Sequence, residues 1–220
     1  DFDGQLLIAT ANNEMSALAN TMKRFIDICA GIAGCLTLIP LIAFVKYKYV
    51  KSGDHDSIIF SQDRIGKNGK MIKIYKFRSM VPNADEVLKE LLKDPKYKKE
   101  WDKNQKLDDD PRITKIGKII RKISLDEVPQ FINVFKGDMS LIGPRPLVEG
   151  ELDAHNGNHE IYEKVKPGIT GWWACNGRSA TNYEERLKLE YYYAENASLS
   201  LDIKCIFRTI KAVISRTGAK

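Results

Sequence analysis

Between residues 25 and 45 the chain reads FIDICAGIAGCLTLIPLIAFV, 21 residues with one charge, Asp27. At 1.5 Å per helical residue that run is about 30 Å long, the thickness of bilayer hydrocarbon. Lys23 and Arg24 precede it and Lys46, Lys48 and Lys51 follow it, so positive charge marks both flanks. Pro40 lies inside the run, where it removes a helix hydrogen bond and crowds the preceding turn. The pattern predicts a re-entrant membrane helix over 21–50 that enters, bends at Pro40 and returns to the same face. A plain transmembrane helix and a buried soluble helix are the alternatives. Asp27, close to the first flank, is expected to stay near headgroup water or to pair with a neighbouring cation.

Farther along, the periodicity changes. Ser57 to Arg64 and Met71 to Arg78 are β-prone runs separated by Lys67-Asn68-Gly69-Lys70, and Asn-Gly is a strong hairpin-turn signal. The highly charged stretch Pro82 to Lys103 has helical spacing interrupted by Pro95, and Ile113 to Ile123 reads as another helix. In Leu201 to Arg216 the apolar positions Ile203, Ile206, Phe207, Ile210, Val213 and Ile214 recur at helical spacing, with Lys204, Arg208, Lys211 and Ser215 on the other face. That is a basic amphipathic helix, suited to a membrane interface or to a protein core. The fold expected is α/β and monotopic: a re-entrant hydrophobic helix, interfacial amphipathic helices and a small antiparallel sheet built on the hairpin.

Charge adds a partner class. Residues 46–122 hold 21 Lys/Arg against 12 Asp/Glu, a net +9, whereas the whole chain of 220 residues is +6. Such a block favours nucleic acid, a lipid headgroup surface or a phosphorylated substrate. A mean hydropathy of −0.34 excludes a polytopic membrane protein. The four cysteines, Cys29, Cys35, Cys175 and Cys205, form no C-x-x-C pair, so reduced thiols are expected rather than a disulfide framework or a zinc site. With Asp at position 1 and no signal-peptide pattern, the sequence reads as part of a longer chain.

Candidate chemistry clusters in the middle of the chain. Asp108-Asp109-Asp110-Pro111 suits a helix N-terminus, with a divalent-cation cluster as the alternative. Ser124-Leu125-Asp126-Glu127 has capping-box spacing, which would make both carboxylates first-turn residues of a helix. An Asp kept ionised at such a position can also act as a nucleophile or a Mg²⁺ ligand. The hairpin's second strand ends in Lys76-Phe77-Arg78, and Gly143-Pro144-Arg145-Pro146 is a stiff turn that presents Arg145, a side chain suited to bidentate phosphate contact.

The order of these segments carries a resemblance. A basic-flanked hydrophobic segment is followed by QDRIGKNGKMIKIYKFRSM, SLDEVPQFINVFKGDMSLIGPRP, KPGITGWW, GRSATNYEER and SLDIK. Over about residues 21–215 this is similar to the bacterial sugar transferase family, the monotopic phosphoglycosyl transferases. The resemblance implies transfer of a hexose-1-phosphate, galactose by preference, from a UDP-sugar to undecaprenyl phosphate. UMP would leave, and an aspartyl phosphosugar intermediate would form at the cytoplasmic face of the bacterial inner membrane. It implies Asp126 as nucleophile, Glu127 as its dyad partner, both as Mg²⁺ ligands, and Lys76, Arg78, Arg121 and Arg145 as phosphate contacts. Arg178, Glu184, Glu185 and Asp202 fall on matching polar positions as further substrate-binding candidates.

The implied domains are a linker or strand at 1–20, the membrane helix at 21–50 and a catalytic domain at 51–220. The implied partners are the UDP-sugar, undecaprenyl phosphate and the bilayer, with a homodimer allowed and no nucleic acid. Ala174-Cys175 and Leu189-Glu190 depart from the family pattern, which often has Gln-Val and Leu-Asp there. Two other readings compete: an inactive membrane scaffold of the same fold, and a basic nucleic-acid-binding module, which would give salt-sensitive binding.

Overall fold

A computed structural model describes residues 15–104, 107, 109–177 and 181–214. The chain opens with helix α1, Ala17–Lys51, 35 residues and about 52 Å long. Ser16 caps it, its Oγ accepting the Ala19 N–H. It is long and apolar enough to cross a membrane. Contrary to the expected break, the helix continues through Pro40 as one element. A proline removes one helix hydrogen bond and crowds the preceding turn, and here the turns on both sides are held by packing of Leu38 and Val45.

That packing follows a single stripe. Asp27, Gly31, Gly34, Leu38, Val45 and Tyr49 are buried at helical spacing. Around them Phe25, Leu36, Ile39 and Phe44 remain exposed. Asp27 is not at a headgroup position. Its Oδ1 accepts the Ser140 hydroxyl at 3.0 Å and the Leu141 N–H at 2.8 Å, which satisfies a carboxylate only 3% exposed.

Strands β1 (Ile59–Ile65) and β2 (Met71–Phe77) form the expected antiparallel hairpin, with Ile59 opposite Phe77 and Ile65 opposite Met71. Its turn is a short 3₁₀ segment, Lys67–Gly69, in which Asn68 (φ 58°) and Gly69 (φ 71°) both take left-handed backbone. That is the conformation for which Asn-Gly is suited. Helices α2 (Ala84–Leu91) and α3 (Pro95–Asn104) divide at Pro95 as the sequence indicates. Helix α4 spans Lys115–Lys122, and Thr114 caps it by accepting the Gly117 N–H. The acidic triplet therefore does not cap it directly. Asp110 pairs with Arg112 at 2.7 Å, Asp109 pairs with Lys118 at 3.3 Å, and Asp108 lies outside the described residues.

A 3₁₀ turn, Leu125–Gln130, leads directly into α5, Phe131–Lys136. Strand β3 (Ser140–Ile142) pairs in parallel with β4 (Gly168–Thr170), a second small sheet that the hydrophobic pattern does not announce. Between them lie two one-turn helices, α6 (Glu151–Ala154) and α7 (His159–Tyr162). After β4 come α8 (Trp172–Cys175), α9 (Tyr183–Glu195) and α10 (Leu199–Ile214).

Two of the packing centres hold α1, the 3₁₀ turn and the C-terminal helices in place. Leu38, Val45 and Tyr49 of α1 join Ile58, Phe77 and Ile120, with Leu125 and Val128 of the 3₁₀ turn against them. Gly34 allows α1 to meet Phe131 of α5 so closely that a Cβ there would lie 2.1 Å from the ring. The second centre joins Ile142, Tyr193, Leu201 and Cys205, tying β3 to α9 and α10. Helix α10 buries Leu201 and Cys205 and leaves Ile203, Phe207 and Ile210 exposed, beside exposed Lys204, Arg208 and Lys211. An apolar stripe next to a basic one is the arrangement of an interfacial helix.

Candidate active site

The 3₁₀ turn at 125–130 carries the two adjacent carboxylates. Ser124 enters it with left-handed backbone (φ 54°) and makes no capping hydrogen bond, so the capping box expected there does not form. Glu127 instead turns to the hairpin, where its Oε1 accepts from Lys76 Nζ at 3.1 Å. Asp126 is half-buried. Burial, and then the neighbouring Glu127 charge, hold its carboxyl above the usual range, against the pull of Lys76 and Arg121. The structure thus brings Asp126, Glu127, Lys76 and Arg121 into one electrostatic neighbourhood.

Local folding explains the positions. Asn133 of α5, fully buried, donates Nδ2–H to the Lys73 carbonyl at 2.7 Å, and its Oδ1 accepts the Tyr75 N–H at 3.2 Å. One amide thereby fixes β2 beside the turn. Arg121, on the last turn of α4, is exposed and anchored by Nε donating to Ser79 Oγ at 2.8 Å. Two carboxylates with nearby cations and open solvent suit a cation that keeps waters and meets substrate phosphates. Among the described residues no group of three or more His, Cys, Asp or Glu side chains could hold a metal alone.

Other candidates take structural positions. Arg78 is buried at 7% exposure, with Nη2 bonded to Asp54 at 2.7 Å and Nε to the Ser57 carbonyl at 2.7 Å. Its guanidinium also lies 4.8 Å from the Tyr49 ring, so it clamps the end of β2 to α1 instead of facing solvent. Glu184 is on the surface with Lys188, at 2.8 Å. Glu185 completes a capping box with Asn182 at the start of α9, where first-turn carboxylates belong. Asp202 faces Lys23 of α1 at 2.6 Å and accepts the Tyr193 hydroxyl at 2.6 Å. Arg178 lies outside the described residues.

Arg145 stands in a second group, with residues that sequence reasoning missed. Lys76 sits opposite Phe60, and Arg64 lies four residues from Phe60 on β1. Side chains two and four residues apart share a face, so the two groups border one hairpin face about 13 Å apart. Arg64 Nη1 donates to the Pro146 carbonyl at 3.4 Å, and Gly168 N–H donates to the Pro144 carbonyl at 2.8 Å. Arg145 N–H donates to Glu190 Oε1 at 3.2 Å, while Tyr162 donates its hydroxyl to the Arg145 carbonyl at 2.5 Å. Arg186 stacks over Trp173 at 4.8 Å and reaches Glu151 at 3.6 Å.

Burial pushes the Glu190 carboxyl up to about 7, and burial together with neighbouring Arg145 brings Arg64 down to about 10. The i,i+4 spacing of Arg186 and Glu190 was the one signal for this group in the sequence.

The bacterial sugar transferase family profile matches residues 18–216. The chain is 43% identical over 97% of its length to the undecaprenyl-phosphate galactose phosphotransferase of Salmonella typhimurium. It is 42% identical over 99% of its length to the UDP-galactose-lipid carrier transferase of Erwinia amylovora. The chain spans less than half of either relative, 45% and 46%. It is also 41% identical, over 90% of its length and 87% of the relative's, to the exopolysaccharide production protein ExoY of Sinorhizobium fredii. By profile and by these similarities, the chain belongs to the bacterial sugar transferase family.

Proposed function

We propose that this chain carries the catalytic machinery of a phosphoglycosyl transferase, which moves galactose-1-phosphate from UDP-galactose to undecaprenyl phosphate and releases UMP. The observation that carries the reading is the Asp126–Glu127 pair on one turn, flanked by Lys76 and Arg121. The choice of galactose rests on the relatives named for it.

In the first half-reaction an Asp126 carboxylate oxygen attacks the sugar-linked phosphorus. The bond from that phosphorus to the bridging oxygen breaks, and UMP departs with both electrons. In the second, an oxygen of the lipid phosphate attacks the same phosphorus and Asp126 leaves as carboxylate. Splitting the transfer this way means the two phosphorylated substrates need not occupy the site together. Lys76 and Arg121 offset charge on the phosphoryl oxygens beside the half-buried Asp126. Arg145, whose side chain is partly exposed, supplies a further phosphate contact. Asp126 and Glu127 would hold Mg²⁺, which when bound supplies positive charge against the diphosphate.

The placement proposed is monotopic, at the cytoplasmic face of the bacterial inner membrane. Lys23, near one end of α1, and Tyr49, near the other, both bond to the folded body, Tyr49 to the Arg78 carbonyl. They lie 26 residues apart, about 39 Å along the helix. A crossing would drag the ion pairs beside these anchors into hydrocarbon, which is costly. With the body on one side, the exposed Phe25, Leu36, Ile39 and Phe44 face lipid.

Intact-protein mass spectrometry after incubation with Mg²⁺ and UDP-galactose, without lipid acceptor, tests the reading. A hexose-phosphate adduct on Asp126, absent in Asp126→Asn, is the expected result. Full UMP release by Asp126→Asn in the presence of undecaprenyl phosphate would remove Asp126 as nucleophile. An adduct with UDP-glucose or UDP-N-acetylgalactosamine but none with UDP-galactose would reassign the sugar.

A further inference from the structure

Arg145 stands between two prolines, so its N–H is the sole backbone donor in Pro144–Arg145–Pro146. Glu190 takes that donor from α9 at 3.2 Å, and Tyr162 reaches the carbonyl of the same residue from α7 at 2.5 Å. Both side chains are buried, Glu190 at 1% and Tyr162 at 4% exposure. The guanidinium they leave behind is differently placed. The Arg145 side chain is 43% exposed, and among the described residues its ion pair is Glu151 at 3.9 Å, beyond hydrogen-bond reach. The backbone is held from two helices while the charged head keeps its donors available.

Glu190 is an expensive residue for a purely structural grip. Its Oε2 has no hydrogen-bond partner among the described residues, and Arg186 Nε lies 4.0 Å from its Oε1. A buried carboxyl with one oxygen unmatched costs free energy that an apolar residue would avoid. What it provides here is an acceptor aimed at one amide.

We propose that Glu190 and Tyr162 are positioning residues for Arg145, gripping its N–H and C=O so that its guanidinium stands ready for substrate phosphate. The proposal rests on the reading of Arg145 as a phosphate contact. A small misplacement of a charged contact is enough to matter, since about 1 Å can cost on the order of a hundredfold in rate.

A double-mutant cycle tests it, with kcat/KM for UDP-galactose measured at saturating undecaprenyl phosphate. Glu190→Leu is expected to lower kcat/KM by about tenfold or more, whereas Glu190→Gln, which keeps an acceptor, stays within about threefold. In an Arg145→Ala background, Glu190→Leu should cost nothing further, because there is no guanidinium left to place. Equal losses in both backgrounds would show general damage to the fold and overturn the proposal. Tyr162→Phe carries the same cycle should Glu190→Leu not fold.

Hydrogen exchange at the Arg145 amide gives a reading that needs no turnover. Glu190→Leu should speed it while the α9 amides keep their protection, and unchanged exchange would also overturn the grip. A wild type inactive toward UDP-galactose but with this exchange pattern would sink the proposed function and leave the positioning geometry standing.

Discussion

Lys23 offers the sharpest test of how α1 is held. Its ammonium has three hydrogens and three acceptors: the Ile142 carbonyl at 3.0 Å, Tyr193 Oη at 3.2 Å and Asp202 Oδ2 at 2.6 Å. The Lys23 side chain is 18% exposed and that of Asp202 8%. Lys23→Met leaves Asp202 ionised, buried and without its cation, a change that typically costs about 3–5 kcal/mol. Solvent reaching Lys23 screens part of this, so about 3 kcal/mol is expected, or roughly 6–12 °C in Tm for a chain of this size.

Asp202→Leu alone should cost about 2 kcal/mol, because Lys23 keeps two acceptors and can lean toward water. In Lys23→Met/Asp202→Leu no orphan charge remains and Tyr193 can still donate to the Ile142 carbonyl, at 3.0 Å. The double variant should therefore cost about 2 kcal/mol, no more than Asp202→Leu alone, which is a coupling of about 3 kcal/mol. The assay is denaturant or thermal unfolding in detergent micelles with no substrate present. Additive losses, or an Asp202→Leu protein as stable as wild type with only a raised KM for UDP-sugar, would refute the latch and return Asp202 to the substrate site.

The same geometry sets three further outcomes. Gly34→Ala should destabilise by about 1–3 kcal/mol despite alanine's better helix propensity, because its Cβ would meet Phe131 at 2.1 Å, and Phe131→Leu should relieve it; a variant more stable than wild type by thermal unfolding would contradict the contact. The Glu190 carboxyl titrates at about 7 instead of 4.5, so its neutral form stabilises the fold at low pH and that contribution is lost as pH rises from about 4.5 to 7. Relative to Glu190→Gln, wild type should lose about 3 kcal/mol across that range, and parallel stability curves would show that the carboxyl is not buried as described. His159, bonded at 2.7 Å to Glu163 and at 2.8 Å to Asp153, is raised by both carboxylates. Its contribution is full below about 6.5 and is lost as pH rises through the higher folded value, so His159→Gln should flatten thermal stability in that window. Identical pH profiles for the two proteins would discount the clip between α6 and α7.

Local chemistry made much of this protein readable from its residues alone. Asn68-Gly69 specifies a hairpin because its turn demands left-handed backbone. Pro95 divides α2 from α3 because proline interrupts a helix interior. The apolar run at 25–45 determines a long helix with more apolar surface than the body covers. Neighbouring carboxylates and the Pro-Arg-Pro turn mark the candidate chemistry for the same reason: both effects act within a few residues.

Partners across the fold are another matter. Lys76 at the end of β2 and Arg78 just past it are two residues apart, yet Arg78 is locked to Asp54 and Lys76 reaches Glu127. Asp202 reads as a polar site residue until Lys23, 179 positions away, fills its environment. The helix continues past Pro40 where sequence predicts a break, because stripe residues on either side are fastened to the body. The parallel pairing of β3 with β4 and the meeting of Glu190 with the Arg145 amide arise only when distant segments dock. Sequence determined which groups want a partner, since that is set by charge, shape and backbone freedom. Tertiary structure decided which partner each received, because burial makes an unmatched charge or amide too costly to leave alone.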